Sequence, residues 1–516
     1  MKRENAITIL SLVITIIVLM ILAGVAINTV TGGDSVILNA SKIRETSRVV
    51  EVKDIIESWK LQSVMDKYFN LEHKDIEVLL LEMLDEGLIT QDEYNNAIKT
   101  GYIEINNERI FYFGEANVAE VNSEDELALA LQNEEVNVIL VMQPITITKE
   151  IVVDRSVRIW GSGSSAMLNR GTDYKGRFIR VKADCNLILN NLILDGGAEN
   201  WSFDQEEADA NAAINIAAAT ETAFVLNEED IKASAEFILN QGNLAINNCV
   251  LQNNLNYDDS DSRAGIVTTG TAAKNVTLKI VDSTIKHCAS YMGSGAIISS
   301  NYSDIELENT NIIDNYGYGN GGIFYLYDDT TLTMNGGKLS NNIIYGNGTS
   351  ITSSGSKFVL NSGEISYNRG YRTSTDGHGC TIYVYANSFF VMNGGKIENN
   401  FTNTGCIRAY GDDSEVHLNE GYMANNTSFN DGKQQNIVSS KCAVFDIEEG
   451  MTVVGDVTFA SLIVNRGTIN GNVYSKSGNT GSLFKNEGTI NGGIYADKSS
   501  IIEDTGTIRD GIIYTD

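Results

Sequence analysis

The sequence predicts a mostly-β chain: a parallel β-helix of stacked coils, preceded by an apolar N-terminal helix, a helical stalk and a small α+β module. Three observations predict it. Eleven-residue segments recur, LTMNGGKLSNN at 332–342 and FVMNGGKIENN at 390–400, with looser copies FVLNSGEISYN at 358–368 and VHLNEGYMANN at 416–426. Aligned on their first apolar residue, the repeats begin at Leu187, Leu244, Leu278, Ile305, Leu332, Phe358, Phe390 and Val416, so the last steps run 27, 27, 26, 32 and 26 residues. Within each copy the apolar residues alternate with period two, the strand period and not the helical one, and a step of about 26 residues suits one turn of a stacked β coil. Finally, 47 glycines stand against the single proline Pro144. Proline removes a ladder donor, and a chain that is mostly paired sheet has little use for it. At 516 residues the chain is too long for one ordinary core, a limit that stacked repeats escape because each unit buries its face on its neighbours.

The elements follow in order. Residues 1–33 form the apolar segment, with no charge between Glu4 and Asp34. Ile7 to Ile27 as a helix is about 31 Å long, the thickness of a bilayer core. Lys2 and Arg3 precede it, which keeps the N-terminus inside and sends the rest out. Ile7, Leu12, Ile16, Leu19 and Leu22 are the residues expected to meet lipid or neighbouring helices. Residues 34–70 read as the stalk, capped by Asp34 or Ser35, with Val36, Ile37, Ile43, Val49, Val52, Ile55, Ile56 and Trp59 roughly on one stripe. Residues 71–114 read as two short helices and a hairpin turning at Asn106-Asn107. The β-helix spans 122–443, opening with a short helix in NSEDELALALQNEEVNVILV that covers the open end of the stack. In FVMNGGKIENN, Phe390 and Met392 face inward, Val391 outward, Asn393-Gly394 make a left-handed bend, and Ile397 returns to the core. The closing amides Asn342, Asn368, Asn400 and Asn426 are placed to stack as a ladder. Residues 444–516 use shorter units, NRGTINGNVY, NEGTINGGIY and DTGTIRDGIIY, at spacings near 20.

Two resemblances bear on function. AITILSLVITIIVLMILAGVAINTVTG, followed by a polar helix, resembles the type IV pilin-like N-termini of clostridial-type Gram-positive bacteria. That family implies cleavage just before the apolar helix, near Asn5–Ala6 or Ala6–Ile7, and packing with other pilin-like subunits into a filament. This sequence lacks the usual glycine before the cut and carries Ser11 where the family has glutamate at the fifth mature position. The texture GG-I-x-V … MNGG-I-x-NN, over about 122–516, resembles the surface-exposed, repeat-rich branch of the pectate lyase-like superfamily. It implies a right-handed parallel β-helix that binds or adheres, or alternatively a tethered polysaccharide lyase or glycoside hydrolase. Gly377-His378-Gly379 is similar to the Gly-His-Gly of polygalacturonase-type hydrolases, which implies acid and base roles for carboxylates drawn from Asp376, Asp412 and Asp413. The same alignment reads His378 as the counterpart of Asn320 in an ordinary turn, and the family's Asn-Thr-Asp and Arg-Ile-Lys elements are missing.

The formal charge of −30 with no Lys/Arg-rich run excludes nucleic acid as a partner. The expected partners are the membrane, other pilin-like subunits, and glycans or partners on a host or cell surface. The expected place is the cell membrane, single-pass with the C-terminal part outside, or a surface filament. NYDDSDSR at 256–263 groups Asp258, Asp259, Asp261 and Arg263, a candidate calcium loop weighed against a plain solvated loop; no other cofactor is indicated. Tyr325, Tyr327, Tyr383 and Tyr385, joined by Tyr410, alternate with inward apolar residues and are expected to face out, where flat rings suit sugar stacking; strand propensity alone also favours tyrosine there. The six cysteines show no CxxC spacing and read as buried free thiols.

Overall fold

The computed structural model describes residues 48–60, 74, 76–100, 102–106, 108–111 and 117–515, the last range except 164, 213–222, 228, 258–265, 271–275, 291–296, 319–321, 345–347, 372–379, 403–404, 412, 429–434, 443 and 476–481. The pilin-like segment, with Ile7, Leu12, Ile16, Leu19 and Leu22, lies outside the described residues. Among those described, no helix is long and apolar enough to cross a membrane. The chain divides into two units, Met1–Val118 and Ala119–Asp516.

In the first unit a helix over 48–60 joins helices Ile76–Asp85 and Gln91–Thr100 and the antiparallel hairpin of Tyr102–Ile105 with Glu108–Phe111. Asn106 takes the left-handed turn position, with φ 53°. Val52 and Ile56 from the first helix, Leu80 and Met83 from the second, and Ile103 and Ile105 from the hairpin share one core. The described part of the expected stalk therefore packs with the small module, and Arg48 adds an ion pair to Glu93 at 2.7 Å.

The second unit is a stack of parallel coils. In a middle coil, Phe324–Tyr327 forms a first face, Thr331–Ser340 bends midway to form a second, and Ile343–Ile344 forms a short third face before the chain re-enters the first. Among the described residues the first face stacks 14 strands, the bent second face 25, and the third eight strands of two residues each, from Lys232–Ala233 to Thr427–Ser428. The register is the one the repeats predict: Leu187, Leu244, Leu278, Ile305, Leu332, Phe358, Phe390 and Val416 pair in succession. Beyond residue 444 the described residues form no third face, and Thr468, Thr489 and Thr507 pair at the shorter spacing. Helix Glu124–Gln132, capped by Ser123, packs Leu127 and Ala130 onto the first coils.

Amide ladders lock the register. Asn342 Nδ2 donates to Asn368 Oδ1 at 3.0 Å, Asn368 to Asn400 at 3.0 Å and Asn400 to Asn426 at 2.9 Å, all buried. Asn315 extends the ladder one coil further toward the N-terminus. Each Nδ2 also donates to a carbonyl on the preceding coil, so no inner amide is left unpaired. The bend glycine is one residue later than the sequence reading placed it. Gly395 has φ +86°, as its counterparts Gly337, Gly363 and Gly421 have positive φ, whereas Gly394 does not. A Cβ on Gly395 would lie 2.6 Å from the Gly363 carbonyl oxygen, because the backbones of adjacent coils touch at this corner.

Candidate functional site

The residues singled out from sequence fall in three places. Asp376, His378, Asp412, Asp258, Asp259 and Asp261 lie outside the described residues. Asp413 is described, exposed in the turn that Ser414 Oγ closes on the Gly411 carbonyl at 2.6 Å. No metal-holding group of three or more His, Cys, Asp or Glu occurs among the described residues. The tyrosines sit on the first face. Tyr325 and Tyr327 are half-buried and pack together at 5.1 Å; Tyr385 is 41% exposed and stacks on Tyr410 at 5.8 Å and 8°. Tyr383 is 2% exposed, so its ring is not open to a ligand, although strand alternation turns it outward.

A different feature forms a cleft. The step from Leu187 to Leu244 is 57 residues, twice the usual coil, and the excess folds onto the outside of the third face. Ser202–Phe203 pairs antiparallel with Phe224–Val225, and helix Gln205–Ala212 follows. This flap packs Trp201 and Phe224 against Leu255, Ala289 and Tyr316, the outward residues of three successive third-face strands. The rings overlap: Trp201 lies 5.4 Å from Phe224, Phe224 4.2 Å from Tyr316, and Trp201 4.3 Å from the His287 imidazole at 12°. Arg369 ties the flap down through Asp209, 2.9 and 2.8 Å from its two carboxylate oxygens, and Tyr371 Oη donates to the same carboxylate at 2.6 Å.

The flap edge and the coils beneath it enclose a cleft of about 460 Å³, within the range of small-ligand sites. One wall is Trp201 and Phe203 from the flap; the other is Phe401 with the Arg369 guanidinium 5.2 Å from its ring. The floor is a row of corner residues. Asp314, Asn341, Tyr367 and Asn399 each precede the inner ladder asparagine of their coil, His287 precedes Cys288 at the same position one coil earlier, and all five have a left-handed backbone, φ 50° to 58°. Turning the chain there aims the ladder residue inward and its predecessor outward, so five consecutive coils present one side chain apiece along the solenoid axis. Asn, Asp and His tolerate this conformation better than other residues; Tyr367 does so inside a stack that fixes it.

Burial holds the His287 imidazole below its ordinary value, outweighing a hydrogen bond to the Trp201 backbone and the nearby Asp230, Asp314 and Glu199. The imidazole is therefore neutral at pH 7. Burial pushes the Tyr371 hydroxyl up, and Asp209 adds to it. The cysteines are free and buried, and burial raises Cys249 to about 11. Cys406 stands one position off register from Cys380, since Ile382 pairs with Ile407. Sequence reasoning missed the cleft; its signal was the 57-residue step and the Trp201–Phe203 aromatics inside it. No protein-family model, curated protein or solved structure matches this chain.

Proposed function

We propose that this protein is a surface-displayed β-helix for adhesion, binding a glycan or a partner chain in the cleft under the Trp201 flap, and tethered by or assembled through its pilin-like N-terminal helix. The single observation that carries the reading is the cleft itself: aromatic walls from a dedicated insertion facing a row of polar corner residues drawn from five coils. An insertion needed only to stack coils would have no reason to hold a concavity open. The apolar run Ile7–Ile27 supports the tether, and Lys2 and Arg3 support an outside solenoid. Right-handed winding is the finer reading of the coils, supported by the strong preference of parallel crossovers for that hand.

The test is retention of the full-length chain on insoluble polysaccharides, with Trp201→Ala and Tyr385→Ala as probes. The reading expects retention that Trp201→Ala abolishes and Tyr385→Ala leaves intact. New reducing ends that vanish in His378→Ala would instead make this a tethered depolymerase.

A further inference from the structure

We propose that the cleft takes a neutral glycan chain lying along the solenoid axis, with the Trp201 indole N–H donating to a ligand oxygen; this deepens, and rests on, the binding reading above. Three independent features converge on that ligand class. The first is an unmet donor. Trp201 is 6% exposed, lines the cleft, and its Nε1 has no hydrogen-bond partner among the described residues. A buried donor left unpaired is costly, and native structures rarely keep one without a use. The Nε1 atom itself is covered, so an acceptor oxygen arriving with a ligand satisfies it through a small turn of the indole edge toward the cleft.

The second is the chemistry of the floor. Among the described residues no side chain bonds to the Asp314 carboxylate or to the amides of Asn341 and Asn399, while the amides one residue further on, in the inner ladder, are saturated. A carboxamide both donates and accepts, as a sugar hydroxyl does, so Asn341 and Asn399 match polyhydroxylated chains without asking for charge. The flat rings of Trp201, Phe203 and Phe401 suit the apolar C–H faces of pyranose rings. Corner residues on five coils span about 19 Å at the strand spacing of roughly 4.8 Å, which asks for an elongated ligand.

The third is charge. Among the described residues lining the cleft the one guanidinium is that of Arg369, already held by both oxygens of Asp209. His287 contributes no positive charge, Asp314 is exposed in the floor, and the whole chain carries −30. A uronate or sulfated chain would meet the Asp314 carboxylate and, among the described lining residues, no cation that is not already paired.

The experiment is isothermal titration of the full-length protein, kept in solution with a non-sugar detergent, against hexasaccharides of four kinds: glucose, N-acetylglucosamine, galacturonate and glucosamine. The proposal expects at least one neutral hexamer to bind, with galacturonate at least about tenfold weaker. Trp201→Phe, which keeps the ring and removes the N–H, should weaken neutral binding about tenfold. Asp314→Asn, compatible with the left-handed corner, should narrow the gap between the neutral hexamers and galacturonate. Tighter binding of galacturonate or glucosamine than of the neutral hexamers overturns the ligand class but leaves a binding protein. Neutral binding indifferent to Trp201→Phe overturns the site. No binding of any hexamer overturns the ligand class, and the retention test above then decides the broader binding reading on its own.

Discussion

The first and third faces of the solenoid both carry aromatic rings, and they use them differently. On the first face the rings come from the repeats themselves: Tyr385 and Tyr410 pair in register on adjacent coils and stack on each other. On the third face the strands are only two residues long, and the rings come largely from an insertion distant in sequence that closes over them. A regular stack gives each outward side chain its own neighbours as partners and leaves a flat surface. Breaking the repeat with the long insertion at 196–236 creates a wall, and a wall opposite a row of corners makes a cleft. Regularity builds the scaffold and the irregular coil builds the candidate site.

The largest expected effect lies beneath the cleft. Asn368 accepts from the Asn342 amide and backbone N–H and donates to Asn400. Asn368→Ala strands several buried polar groups and should lower stability by about 3 kcal/mol or more, whereas Asn361→Ala, in a second, exposed outer ladder in which Asn361 donates to Asn335 and accepts from Asn393, should change it by less than about 1 kcal/mol. Denaturant unfolding of the two variants makes the comparison; equal effects would dissolve the distinction between inner and outer ladders. Next comes the bend shared by all coils. Gly395→Ala places a side chain at φ +86° and against the Gly363 carbonyl, and should cost about 2 kcal/mol.

Smaller effects separate the two faces. Arg369→Ala removes the flap's tie to the third face, but the pair is partly solvated, so about 1 kcal/mol is expected globally. The sharper readout is faster proteolytic nicking within 196–236; unchanged cleavage would show that the aromatic packing alone holds the flap. Tyr410→Ala on the first face should cost about 0.5–1 kcal/mol, the worth of one exposed stacked pair, and leave glycan retention intact. The smallest effect is pH-dependent. Because His287 is held below its ordinary value when folded, the unfolded chain takes up its proton first as pH falls. Its contribution is thus fully present above about pH 6.5 and is lost as pH falls from there through the folded value. His287→Gln should flatten the stability profile relative to wild type in that window alone; an identical slope would place the sensitivity elsewhere.

Much of the scaffold was legible in the sequence for a physical reason: in a parallel stack identical positions touch identical positions, so an alignment of repeats is also a map of contacts. Leu332 over Ile305 and Phe358 over Leu332 could be read directly, as could the Asn342–Asn426 ladder. The bend was misplaced by one residue because Gly394-Gly395 offers two permissive positions and only coil-to-coil backbone contact selects the second. The outward direction of Tyr383 was legible from alternation, but its burial was not, since period two says nothing of what lies over a strand. The cleft was illegible because its walls join Trp201 to Phe401 across 200 residues and the flap carries no repeat to align. What the sequence did show was an interruption, the long step between Leu187 and Leu244.

The most direct test is hydrogen exchange of the full-length protein with and without whichever glycan retains it. The account predicts slowed exchange at 201–205 and at the corners near 314, 341 and 367, with 383–385 and 408–410 unchanged. Protection confined to 383–385 and 408–410 would contradict it and return the binding surface to the tyrosines of the first face.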